Sequence, residues 1–373
     1  MKFSKNIFFL ILFSFLIFVS CKNDLKLNAP YKEYPTIYAI LNPQDPIQMI
    51  RINKVFLGEG DANKMAQVSD SINYPAGELL ITLKRYVAGV QTSATPSNPN
   101  GIITFRDSII QAGPGTFNTS QRVYVSSDKL YTSGQYVLTV LNTKTKNVFT
   151  AKTDAFDCVQ LSGYTPLCNP PYPVDPALGQ ADNTSFYVNY GKPQSSYSIW
   201  YRPNAAAIYQ LTMRFHYVDS LISGNNAYGI VDFAFPNQLL RDVTTNSQGT
   251  ILSNIFKGSE LYAAVGNILS KNPSINANIS GRRMDRVEFT VYASNQDYAD
   301  YLQFAAPSLS IAQDKPLYSN FANHDALGIF AWKTRLNIVK EMATEFKTQF
   351  AIDPNTCRYK FYQMPQLVLA YCP

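Results

Sequence analysis

A chain of 373 residues with 16% charged side chains and a formal charge of +6 is long enough for two domains. Its 32 lysines and arginines are scattered along the chain, so the basic footprint of a nucleic-acid-binding protein is missing. With 25 tyrosines and 23 phenylalanines against so few charges, the composition favours sheet over helix.

The N-terminus opens with Lys2 and Lys5, then an apolar run from Ile7 to Val19 broken only by Ser14. A membrane span needs about 20 apolar residues, so this run is too short to cross and suits the core of a signal peptide. Cys21 follows in the order Ile17-Phe18-Val19-Ser20-Cys21. Ser20 is small but Phe18 is not, which disfavours ordinary secretory cleavage and resembles a lipobox with Phe in place of the usual Leu. Residues 1–20 are therefore expected to be removed and Cys21 acylated. Loss of Lys2 and Lys5 lowers the formal charge from +6 to +4. Two or more acyl chains suffice for stable anchoring. Lys22-Asn23-Asp24 faintly resembles a surface-export signal. The tether, residues 21–33, is short: from Lys22 to Pro30 it reaches roughly 30 Å at full extension, holding the folded part close to the membrane.

Residues 34–156 read as short strands between turn residues. Strands are expected at Thr36–Leu41, Ile47–Phe56, around Leu79, Ile81 and Leu83, and at Ile102–Arg106, Arg122–Ser126, Gln135–Leu141 and Asn147–Lys152. Asn42-Pro43-Gln44-Asp45-Pro46 is a turn, and Gln91–Gly101 an exposed loop. This spacing predicts an immunoglobulin-like β-sandwich. Residues 157–181, with Pro166, Pro170, Pro171, Pro173 and Pro176, form a stiff connector. Residues 182–373 then read as a second, β-rich α+β domain, which makes the whole chain mainly β with α+β character.

In that second domain Phe186–Tyr190 and Ile208–Asp219 are expected strands. Leu211, Met213, Phe215 and Tyr217 of the latter share one face. A helix is expected from near Ser259, with Leu261, Val265, Ile268 and Leu269 on one side. Gly281-Arg282-Arg283-Met284-Asp285-Arg286 reads as a turn, and Val287–Ala293 as a strand. Ser294 and Asp297 resemble a capping box opening a helix through Phe304. After a strand at Leu327–Trp332, Leu336, Val339, Met342, Phe346 and Phe350 suggest one amphipathic helix, stopped at Asp353-Pro354.

Beyond Cys21 stand Cys158, Cys168, Cys357 and Cys372, an even number that in an exported chain suggests two disulfides. Three pairings are open. The local ones, Cys158–Cys168 and Cys357–Cys372, are favoured because each closes a short loop. A metal site fails on spacing, since neither pair is a C-x-x-C.

Several strings resemble one family. They are Tyr38-Ala39-Ile40-Leu41-Asn42-Pro43-Gln44-Asp45-Pro46 with Ile50-Arg51-Ile52-Asn53-Lys54-Val55-Phe56-Leu57-Gly58, Asp70-Ser71, and Tyr209-Gln210 leading into Arg214-Phe215-His216-Tyr217. Tyr298–Leu302 and Ala326-Leu327-Gly328-Ile329-Phe330 complete the set. Together they resemble the Bacteroidota lipoprotein family of unknown function DUF4249, although Asp325-Ala326 replace the family's frequent Asn-Gly. The resemblance implies a surface or periplasmic outer-membrane lipoprotein whose genes often lie beside TonB-dependent receptors, so the expected partner is an outer-membrane β-barrel such as a TonB-dependent transporter. It implies no enzymatic activity. Barrel-assembly or protein-export machinery is the related alternative, and a surface glycan- or solute-binding protein the one from another class.

The chemistry-bearing residues are few. His216 sits on the polar face of a strand, and His324 in the loop Asn323-His324-Asp325. No G-x-S-x-G, H-E-x-x-H or calcium loop occurs, so neither a catalytic set, a cofactor nor a metal is expected. Trp200 and Trp332 are the candidate sugar-stacking residues. Ser71, Ser108 and Ser220 lie in Asp-Ser-aliphatic tripeptides resembling the Bacteroidota O-glycosylation sequon, and each predicts a surface position.

Overall fold

The computed structural model describes residues 33–55, 68–97, 101–111, 120–157, 185–186, 196–201, 206–235, 238–239, 252–271, 276–305, 317–322, 325–363, 368–369 and 372. The fold is mixed α+β, with few helices against many strands.

In the N-terminal half, β1 (Pro35–Leu41) and β2 (Gln48–Lys54) make an antiparallel hairpin. Its turn is held by Gln48, whose Oε1 accepts from the Asn42 amide at 3.0 Å and whose Nε2 donates to the Asn42 carbonyl at 2.7 Å. A single helical turn, α1 (Ser69–Ile72), precedes β3 (Leu79–Val87), β4 (Val90–Thr92), β5 (Ile103–Gln111), β6 (Ser120–Ser126), β7 (Gly134–Asn142) and β8 (Val148–Ala155). These strands hydrogen-bond in the order β1-β2-β6-β5-β3-β7-β8. Period-two alternation decides which face is hidden. Ile37, Ala39 and Leu41, Ile81 and Leu83, and Tyr136, Leu138 and Val140 all point into one core. The segment expected to be an exposed loop begins instead with part of β4, and Ala94 and Thr95 within it are buried.

The C-terminal half contributes β9 (Ser185–Phe186), β10 (Ser196–Tyr201), β11 (Ile208–Leu221), β12 (Asn226–Ala234), β13 (Gln238–Leu239) and β14 (Leu252–Lys257). Helix α2 (Gly258–Ser270), β15 (Ile279–Ser294), helix α3 (Gln296–Ala305), β16 (Leu327–Met342), helix α4 (Thr344–Ile352), β17 (Tyr362–Gln363) and β18 (Val368–Leu369) follow. Leu261, Val265 and Leu269 of α2 are buried, as their spacing predicts, whereas Ile268 is exposed. Phe346 and Phe350 of α4 pack around Phe215, Tyr262 and Phe361.

Strand β16 joins the two halves. Its first part, Leu327 to Trp332, pairs in parallel with Thr36 to Leu41 of β1. Its second part, Lys333 to Glu341, pairs antiparallel with Ser294 to Arg286 of β15. One continuous ladder therefore runs β12-β11-β15-β16-β1-β2 and onward. The first sheet is thus not built from residues 34–156 alone. Gly328 permits this meeting: at φ +109, a Cβ there would lie 2.0 Å from the Ile37 carbonyl oxygen.

Three expectations are corrected by these strands. Leu336 to Met342 belong to β16 and not to a helix, and helix begins only at Thr344. The pairing with β15 satisfies this segment's backbone across the ladder, and that tertiary gain overrides the helical spacing of its side chains. Gly281 to Arg286 are strand, since β15 starts at Ile279. Ser294 is a buried strand residue; the Tyr298 amide, at the start of α3, donates to Asn295 Oδ1 at 3.4 Å.

Candidate functional site

The end of the molecule around Glu33 is organised by one residue, Asn142, at the close of β7. Its Oδ1 accepts from the amides of Lys144 and Thr145, at 2.9 and 3.1 Å, closing the β7–β8 turn. Its Nδ2 donates to Glu33 Oε1 at 2.6 Å and to Glu78 Oε1 at 3.0 Å. Glu33 Oε2 accepts from Thr145 Oγ1 and Asn147 Nδ2, both at 2.6 Å. The first described residue of the chain is in this way fastened to the β7–β8 turn. Burial works to raise the Glu33 pKa, but the hydrogen bonds from Thr145, Asn142, Asn147 and Tyr74 outweigh it and hold the carboxyl below its ordinary 4.5.

A pH dependence follows from that sign. A carboxyl depressed in the folded state stabilises fully above its unfolded value and loses that contribution as pH falls through the folded one. The clamp is expected to hold above pH 4.5 and to release below it. Amide-exchange protection at Thr145 and Asn147, taken relative to the intrinsic rate at each pH, checks this: it should fall on acidification in the wild type, while Glu33→Gln should show the low protection already at pH 7. Equal protection in the variant at pH 7 would refute the clamp.

Beside Glu33 lies a cavity of about 380 Å3, lined among others by Lys54, Ser71, Tyr74, Glu78 and Lys144. A second, of about 390 Å3, shares Lys54, Tyr74 and Pro75 and extends to Asp70, Ile109 and Arg122. Lys54 Nζ donates to the Asp70 carbonyl at 2.7 Å.

At the other end of β1, where β16 passes from one half to the other, the halves are locked together. Trp332 is fully buried and stacks on Tyr136 at 5.5 Å, and its indole N–H donates to the Phe156 carbonyl at 2.8 Å. Arg335 Nη1 lies 3.0 Å from Asp45 Oδ1, and Asn295 Nδ2 donates to Thr153 Oγ1 at 2.7 Å. Lys333 Nζ sits 4.1 Å from the Tyr292 ring centroid and 5.0 Å from that of Tyr298. Burial lowers its pKa to about 8. With both of its faces inside the protein, Trp332 offers no platform to a sugar, and that expectation is withdrawn. Trp200 pairs with Ser253 through β10 and β14.

The remaining candidates fall in several places. His216 stands at a β-bulge between Phe215 and Tyr217, with Nε2 3.2 Å from Glu288 Oε2. Glu288 Oε1 in turn accepts from Asn337 Nδ2 at 2.5 Å, so the histidine belongs to a row of cross-strand polar pairs. Ser71 lies in α1, Ser108 in β5 and Ser220 in β11, all half-buried, not openly exposed as sequon use would suggest. Asp219, the acid of the third tripeptide, is buried against Arg282. Cys357 and Cys372 are joined by a disulfide with Cα atoms 5.2 Å apart. Cys21, Cys158, Cys168 and His324 lie outside the described residues.

Two residues that matter most here were not singled out from the sequence. Glu33 carries no motif, since its partners come from a turn more than a hundred positions away. Arg282 reads in the sequence only as part of a turn from Gly281 to Arg286. Among the described residues no helix is long and apolar enough to cross a membrane, and no group of His, Cys, Asp and Glu could hold a metal ion. Comparison with known proteins gave no matching family model and no match among curated proteins.

Proposed function

We propose that this chain is a non-enzymatic lipoprotein of the outer membrane, of the DUF4249 kind, acting as an accessory subunit of a β-barrel, foremost a TonB-dependent transporter. The observation that carries the reading is Cys21, set directly after a basic start and a short apolar run. Support comes from the Cys357–Cys372 bond, a linkage suited to an exported protein. Further support comes from how the candidate chemical side chains are employed: Trp332 in the core, His216 in a cross-strand pair. The seven-strand order β1-β2-β6-β5-β3-β7-β8, whose alternate residues share one core, supports the finer reading of that half as an immunoglobulin-like sandwich.

The test is gentle solubilisation of native membranes followed by affinity recovery of the chain. A stoichiometric β-barrel partner is expected in the eluate, identified by mass spectrometry. Recovery of the chain alone as a monomer would overturn the partner reading.

A further inference from the structure

The outward face of the β3–β7–β8 sheet is graded along its length. Its row nearest the Glu33 clamp is Leu80, Leu141 and Val148, in cross-strand register. Leu80 is 44% and Val148 54% exposed, an unusual position for aliphatic side chains placed side by side. The next outward row is Thr82, Thr139 and Thr150, and the row after it Lys84, Val137 and Lys152. Polarity therefore rises with distance from the tether. The turn at the apolar end carries Lys144 and Lys146, both exposed. The two carboxylates beside it, Glu33 and Glu78, are half-buried and both accept from buried Asn142, whereas the two lysines are exposed.

We infer that this end, the Leu80–Leu141–Val148 row with the Lys144 and Lys146 turn, rests on the phospholipid headgroup layer of the membrane that holds Cys21. This rests on the lipoprotein reading above and adds the orientation of the folded part. Eleven residues lie between Cys21 and Glu33, so the two are at most about 40 Å apart. Glu33 is fastened to the turn in question, so an anchored chain brings that turn to the bilayer first. Aliphatic side chains beside lysines match the headgroup boundary, where the apolar groups enter and the ammonium groups meet phosphate.

The experiment is amine footprinting of the mature chain in liposomes of phosphatidylethanolamine and phosphatidylglycerol, using a water-soluble acylating reagent. The Cys21→Ser chain beginning at position 21, with neither leader nor acyl group, serves as reference in the same liposomes. Lys144 and Lys146 are expected to react about fivefold more slowly in the lipidated chain, while exposed Lys271 at the end of α2 reacts equally in both. Intact mass of the mature N-terminus is read on the same sample. A lipidated chain whose Lys144 and Lys146 react as fast as the reference would overturn the orientation and leave the lipoprotein reading standing. A chain with no acyl group on Cys21 would overturn both.

Discussion

Replacing Arg282 with alanine is expected to destabilise the protein by about 3–5 kcal/mol. Arg282 is 1% exposed and Asp219 4%, and the pair is bidentate, with Nε donating to Oδ1 at 2.5 Å and Nη2 to Oδ2 at 3.2 Å. The guanidinium also donates to the Tyr359 carbonyl and to Asn276 Oδ1, and lies over the rings of Tyr217 and Phe361. Truncation would strand the Asp219 carboxylate in a dry site and release the segment that carries Cys357. Urea denaturation of the mature chain measures the loss. The double change Arg282→Met with Asp219→Asn should cost less than Arg282→Ala alone, because no charge is then left uncompensated. If the single change costs under about 1 kcal/mol, Asp219 must reach water by a route the packing does not suggest.

Trp332→Ala should cost a similar amount, about 3–5 kcal/mol, but through a different cause. The change empties a large volume between Tyr136 and the start of the second half, and removes the donor on the Phe156 carbonyl. Its distinctive outcome is cooperativity: the wild type should unfold in one transition, and the variant in two. Trp332→Phe keeps a ring on Tyr136 and loses only the hydrogen bond, about 1 kcal/mol. The chain has two tryptophans, so in either variant Trp200 remains as a fluorescence reporter. A single unshifted transition in Trp332→Ala would show that the halves are held together elsewhere.

Much of the N-terminal half was legible because its strands are short, one-sided and separated by turn residues. Ile50 and Ile52 alternate with Arg51 and Asn53, and the structure buries the isoleucines. The second half was harder for a physical reason. Its strands are long and serve two neighbours, so a single segment changes its surroundings partway along. Leu336, Val339 and Met342 fall at helical spacing, and only pairing with distant strands makes them strand: β15 for Leu336 and Val339, β9 for Met342. Arg282 was hidden in a run of charges because its counter-ion, Asp219, is distant in sequence. Glu33 was taken for tether because nothing local marks it. The alternative that a sugar stacks on Trp332 failed since aromatic residues in a β protein mostly fill its interior.

The parallel pairing of β1 with β16 has a bearing on how such a chain is made. Thr36 emerges early and its partner Leu327 near the end. Until then the inner edge of β1 is an unmet row of amides and carbonyls, open to any strand that passes. Contacts so far apart in sequence close slowly, after most other structure has formed. The N-terminal sheet is therefore completed only once nearly the whole polypeptide has been made. Synthesis and final folding are coupled by topology: a chain halted partway keeps an adhesive edge, and a finished one seals it with its own last long strand.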